Sequence, residues 1–151
     1  MLLSDFLPAA HVRLPILAID KPSLLRELTE FLAARDGGDA SRLYDAVEER
    51  ESALGTGIGH GVAVPHGRSE GVGGLRVVAG RTEHPIPFGA ADGEPVRLVF
   101  LVVGPPAEAG GHVQVLGRIA RLAQRADWRA RLLAAESAAA FAAIIRESEE
   151  S

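Results

Sequence analysis

Residues 96–104 read VRLVFLVVG, an apolar run broken only by Arg97. A strand with one wet face alternates apolar and polar residues, and this one does not. So short and nearly uninterrupted an apolar run predicts a central strand covered on both faces. It stops at Gly104, Pro105 and Pro106, after which Gly110 and Gly111 lead into HVQVLGRIARLAQRA, residues 112–126. There Val115, Leu116, Ile119, Leu122 and Ala123 share one helical stripe, which His112 begins. A buried strand followed by an amphipathic helix marks an α/β chain.

The segments on either side extend that pattern. LRVVAGRTEHPIPF, residues 75–88, predicts a second strand with a proline-punctuated exit and His84 in a turn, while HVRLPI, residues 11–16, is strand-like. In DKPSLLRELTEFLAARDGG, residues 20–38, Asp20 can cap a helix, Pro22 suits its first turn and Gly37 lies past its end. DASRLYDAVEERES, residues 39–52, repeats the design and predicts a helix ending near Ser52. Gly55, Gly57, Gly59 and Gly61 then alternate with larger residues, as in a tight, irregular turn region. At the end, DWRARLLAAES and SAAAFAAIIRES predict two helices capped by Asp127 and Ser137, and the tail ESEES is expected to fray.

Composition limits the function classes. The 151 residues are enough for one domain, and 47% apolar residues supply its core without staples. With no cysteine there is neither a disulfide framework nor a thiol nucleophile. A net charge of −4 argues against a nucleic-acid partner. No apolar run approaches the roughly 18 residues of a membrane span, and MLLSDFLPAAHVR lacks the basic start of a signal peptide. The expectation is a cytoplasmic protein without membrane insertion. Lys21, the only lysine among many arginines, reads as compositional bias with no functional weight.

Chemistry concentrates in the histidines. His11 and His84 read as incidental. His112 lies where a strand's C-terminal end meets a helix N-terminus, a place that favours an anion. In GVAVPHGR, residues 61–68, Pro65 stiffens the arm carrying His66 and Gly67 lets a large group approach the backbone. A neutral imidazole can attack phosphorus directly. Such a site needs cations for the phosphoryl oxygens, and Arg50 and Arg68 are the nearby candidates. A zinc site from His60, His66, His84 and His112 is disfavoured, because the spacing of His60 and His66 belongs to no compact metal motif.

ESALGTGIGHGVAVPHG, residues 51–67, resembles the phosphorylation-site motif of fructose/mannitol-type enzyme IIA domains of the bacterial phosphoenolpyruvate-dependent sugar phosphotransferase system. Glu51, the Ile58–Gly59 pair, the Val62–His66 run and Gly67 stand in the family's order and spacing. Arg50 and the HVQVLGRIARL segment extend the likeness, and residues 2–32 look like the opening of the nitrogen-regulatory branch. His60 departs from it, where relatives commonly carry asparagine or an acidic residue.

The resemblance implies one domain over residues 1–151: a three-layer α/β fold whose central mixed sheet is flanked by helices on both faces. It implies transfer of a phosphoryl group from a histidine-containing phosphocarrier protein to His66. His112 and Arg50 would steady the phosphorylated ring; the reading of the residues themselves adds Gly67 and Arg68 beside the phosphate. The recipient would be an enzyme IIB in sugar uptake or, favoured by the N-terminal likeness, a regulatory target. Neither cofactor nor metal is implied.

Overall fold

The computed structural model describes residues 1–150. Five strands in the order β1-β5-β6-β3-β2 form the path of one mixed sheet, and a sixth, β4, lies beside β6. Their ranges are β1 Val12–Ile16, β2 Gly57–Gly59, β3 Val62–Ala63, β4 His66–Arg68, β5 Arg76–Ile86 and β6 Val96–Gly104. β5 and β6 run antiparallel, whereas β3 and β4 both run parallel to β6. Val62 faces Leu98 and His66 faces Val102, so the register is the same on either side of Pro65. Pro65 lacks a donor, but its carbonyl oxygen still accepts the Val102 amide at 3.0 Å.

The unbroken hydrophobicity of β6 has the expected cause. Leu98, Phe100 and Val102 join one core and Val99, Leu101 and Val103 the other. Against the second face lie α1 (Lys21–Asp36) and α2 (Ala40–Ala53), through Leu24, Leu28, Leu43 and Val47. Against the first lie α3 (Ala109–Ala123), α4 (Ala126–Ala134) and α5 (Ala138–Glu150), through Val115, Ile119, Trp128 and Phe141. Trp128 stacks on Phe100 at a centroid distance of 5.6 Å. Full burial of such a side chain stabilises the fold by roughly 1.5–3 kcal/mol. The three-layer α/β architecture is therefore present as expected.

Local chemistry explains the helix ends. Asp20 accepts the Ser23 amide at 2.8 Å and Gly37 closes α1 at φ 74°, a conformation glycine adopts without strain. Ser137 accepts the Ala140 amide. Asp127, however, is not the cap of α4: the helix begins one residue before it, and its carboxylate pairs with Arg125.

Other expectations are also corrected. His84 lies within β5, where the pairing shifts register between Arg81 and Ile86 and so absorbs Pro85. The glycine alternation contains a strand pair, β2 with β3, closed by His60 at φ 57°. The tail does not fray through residues 147–150. Ser148 is buried, and the Glu149 carboxylate accepts the amides of Leu3 and Ser4 at 2.7 and 2.8 Å. Ser151 lies outside the described residues. No helix among the described residues is long and apolar enough to cross a membrane.

Candidate functional site

Alternation along β3 and β4 decides where His66 points. Val62 and Val64 enter the core beneath α3, so His66, two residues on, faces α3 as well. Gly67 faces the other way, against α2. A Cβ on Gly67 would stand 3.0 Å from the Ala46 carbonyl carbon and from the Val47 amide nitrogen. The large group that this glycine admits is thus the backbone of α2. Close approach of α2 brings Arg50, in its last turn, to the side of His66.

A cleft of about 500 Å³ results, with Arg50 and Glu49 from α2, His66 and Arg68 from β4, and His112 and Val113 from α3 on its walls. All five residues singled out in the sequence, His66, His112, Arg50, Gly67 and Arg68, line it. Glu49 was not anticipated; only its helical position, one residue before Arg50, hints at it. His112 sits one turn inside α3, because the helix starts at Ala109 and takes Gly110 and Gly111 into its first turn.

The two imidazoles differ in surroundings. His66 is half-buried, and its Nδ1 lies 2.9 Å from the Val64 carbonyl oxygen. A carbonyl only accepts, so Nδ1 carries the proton and the neutral ring keeps its lone pair on Nε2. Burial lowers the pKa of His66; the Val64 carbonyl pulls it up, Arg50 pushes it down, Glu51 raises it and Arg68 lowers it. His112 is 2% exposed, and its Nδ1 is buried without a hydrogen-bond partner. Burial, then His66 and Arg68, push its pKa down to about 4. Both rings are therefore neutral at pH 7. Their centroids are 5.6 Å apart.

Arginine supplies the positive charge. Arg50 Nη1 donates to the Leu54 carbonyl oxygen at 2.6 Å, which holds its guanidinium at the C-terminal end of α2. Arg68 is exposed at the end of β4. A fixed fork of donors suits phosphoryl oxygens.

His60 takes no part in this cleft. It is exposed in the β2–β3 turn, where its amide donates to Asp92 at 2.8 Å. No group of three or more His, Asp or Glu suited to a metal ion forms among the described residues.

Comparison with known proteins gives a consistent result. Residues 5–148 match the family model for the phosphoenolpyruvate-dependent sugar phosphotransferase system, EIIA 2. A nitrogen regulatory protein of Bradyrhizobium diazoefficiens is 33% identical over 140 residues, 92% of each chain. The fructose-specific EIIA component of Haloferax volcanii is 34% identical over 130 residues, covering 82% of this chain and 84% of that one. Among solved structures, the nitrogen regulatory protein IIA-Ntr of Neisseria meningitidis superposes with a TM-score of 0.88 at 31% identity, covering 95% and 98% of the two chains.

Proposed function

The chain belongs to the EIIA 2 family of the phosphoenolpyruvate-dependent sugar phosphotransferase system, and from that premise we propose that His66 Nε2 is the atom on which it carries the phosphoryl group. The observation that supports this is the hydrogen bond from Nδ1 to the Val64 carbonyl, which leaves Nε2 with its lone pair in a cleft flanked by Arg50 and Arg68. The donor is a histidine-containing phosphocarrier protein. Attack by Nε2 on its phosphorus forms one N–P bond as the donor's N–P bond breaks, and the electron pair returns to the donor ring. His66 becomes cationic as it attacks, and the Val64 carbonyl stabilises that charge through the Nδ1 proton.

His112 complements it with the opposite tautomer. A buried, unpaired N–H costs more than a buried, unpaired lone pair, so its proton belongs on Nε2 and its Nδ1 stays bare. Neutral imidazole is then a hydrogen-bond donor that adds no charge, suited to a phosphoryl oxygen. Arg50 and Arg68 offset the charge spread over the other oxygens.

The phosphorylated state works as a regulatory signal in this reading, because up to about two negative charges appear on a surface framed by exposed Leu54 and Val113. The work is cytoplasmic, where the donor resides. The fructose-specific Haloferax relative supports a second route, onward transfer to an enzyme IIB in sugar uptake. Incubation with phosphoenolpyruvate, the first enzyme of the relay and its phosphocarrier should add one acid-labile phosphoryl group to the intact mass. His66→Ala should add none; an unchanged addition in that variant would refute the assignment. Label reaching sugar in cell extract favours the second route, and label retained on the chain favours the first.

A further inference from the structure

Lys21, the only lysine in the chain, stands at the start of α1 and touches none of the groups named so far in the transfer. Its ammonium lies 2.9 Å from Glu51 Oε2, 3.2 Å from the Phe88 carbonyl oxygen and 4.6 Å from the centre of the Phe88 ring. A carboxylate, a carbonyl and an aromatic face suit a compact ammonium with three donors. Glu51 itself is 6% exposed. An ionised carboxylate so deep is costly unless it is both neutralised and hydrogen-bonded.

Both conditions are met. Lys21 brings the charge, and Thr56 donates its amide N–H, at 2.9 Å, and its hydroxyl to the same carboxylate. Thr56 then passes the constraint on. Its carbonyl oxygen accepts the Val64 amide at 3.0 Å, and the Val64 carbonyl accepts the His66 Nδ1–H at 2.9 Å. An unbroken line of hydrogen bonds thus runs from one ammonium to the His66 ring. Gly55 packs on the ion pair: a Cβ there would stand 3.5 Å from Glu51 Oε2 and 3.9 Å from Lys21 Nζ.

We propose that Lys21 is a positioning residue for phosphoryl transfer: by neutralising Glu51 it lets that carboxylate hold Thr56, and through Thr56 the Val64 backbone that orients His66. The proposal rests on His66 as the phosphoryl acceptor. A charged, uncompensated Glu51 would also bind the His66 proton more tightly, since its carboxylate already acts in that direction.

Three versions of the 151-residue chain test it: wild type, Lys21→Met and Lys21→Met/Glu51→Gln. Uptake is timed in the reconstituted relay, and His66 is titrated by NMR without any partner. Lys21→Met should take up the phosphoryl group roughly tenfold more slowly, because small displacements of a nucleophile cost rate steeply. Its His66 midpoint should rise. Removing the stranded carboxylate in the double variant should bring the rate back to within about threefold of wild type, the signature of coupled neighbours.

Wild-type uptake by Lys21→Met, an unmoved His66 midpoint, or a double variant no better than the single one would each overturn the proposal. Should Lys21→Met fail to fold, Lys21→Gln, which keeps a hydrogen-bond donor towards Glu51 but no charge, takes its place in both the single and the double variant, with the same expected results and the same results overturning the proposal. Failure of the underlying reading looks different: wild type itself then takes up nothing, and the proposal falls with it.

Discussion

His66 and His112 meet edge to face, with ring planes inclined at 68° and only the first ring anchored to a carbonyl oxygen. Their roles should separate accordingly. His112→Ala leaves the Val64 anchor and the His66 lone pair in place, so it should accept the phosphoryl group within about tenfold of the wild-type rate. Onward transfer loses a preorganised donor and should slow by roughly 100-fold. Single-turnover kinetics in both directions would measure this, and normal onward transfer would show that His112 has another role.

Acceptance should also resist acid. Burial holds the His66 pKa below its ordinary value, so the neutral, nucleophilic ring persists as pH falls through the usual imidazole range. The acid limb of the acceptance rate should have its midpoint below about pH 6.5. A midpoint at or above that value would contradict the environment described for the ring.

Fold stability should show the opposite sensitivity. His112 is neutral when folded down to about pH 4 and free to charge at its ordinary pKa when unfolded, so the unfolded chain binds more protons in between. Its contribution is complete above about pH 6.5 and is lost progressively towards pH 4, by about 3 kcal/mol. Urea unfolding across that range should show a shallower pH dependence for His112→Gln than for wild type. Identical slopes would rule out His112 as the source.

Much of the architecture was legible because it depends on local rules. VRLVFLVVG has to be buried on both faces, and Asp20 with Gly37 brackets α1 as capping chemistry requires. His84 was misplaced because Pro85 reads as a breaker, yet a register shift in β5 accommodates it. Gly110 and Gly111 read as leading into the helix, yet they lie inside its first turn, which leaves its amides unbonded and tolerates glycine. The His66, Arg50 and His112 set was legible through its motif. Lys21 and Glu149 were not: their partners lie 30 and 145 or more residues away, and no periodicity encodes a contact that only the folded sheet creates.

Gly67→Ala tests how the cleft is shaped. The new methyl would press on the backbone at Ala46 and Val47, which cannot rotate aside as a side chain could. Destabilisation of roughly 1–3 kcal/mol is expected, as for other overpacked sites. Transfer should slow in the folded fraction, since Arg50 moves with α2. Wild-type stability in urea would mean that α2 does not depend on this close approach.

Arg68→Ala should weaken acceptance without unfolding the chain, because the side chain is exposed. A loss on the order of tenfold at low ionic strength, shrinking as salt is added, is what a partly screened cation would give. A salt-independent loss would point to a packing role.

The nitrogen that carries phosphorus is the most direct measurement of all. With ring-¹⁵N histidine and phosphoryl donor, phosphorus–nitrogen correlation on the phosphorylated chain should identify Nε2 of His66, with Nδ1 still protonated against Val64. Coupling to Nδ1 of that ring, or to either nitrogen of His112, would contradict the assignment.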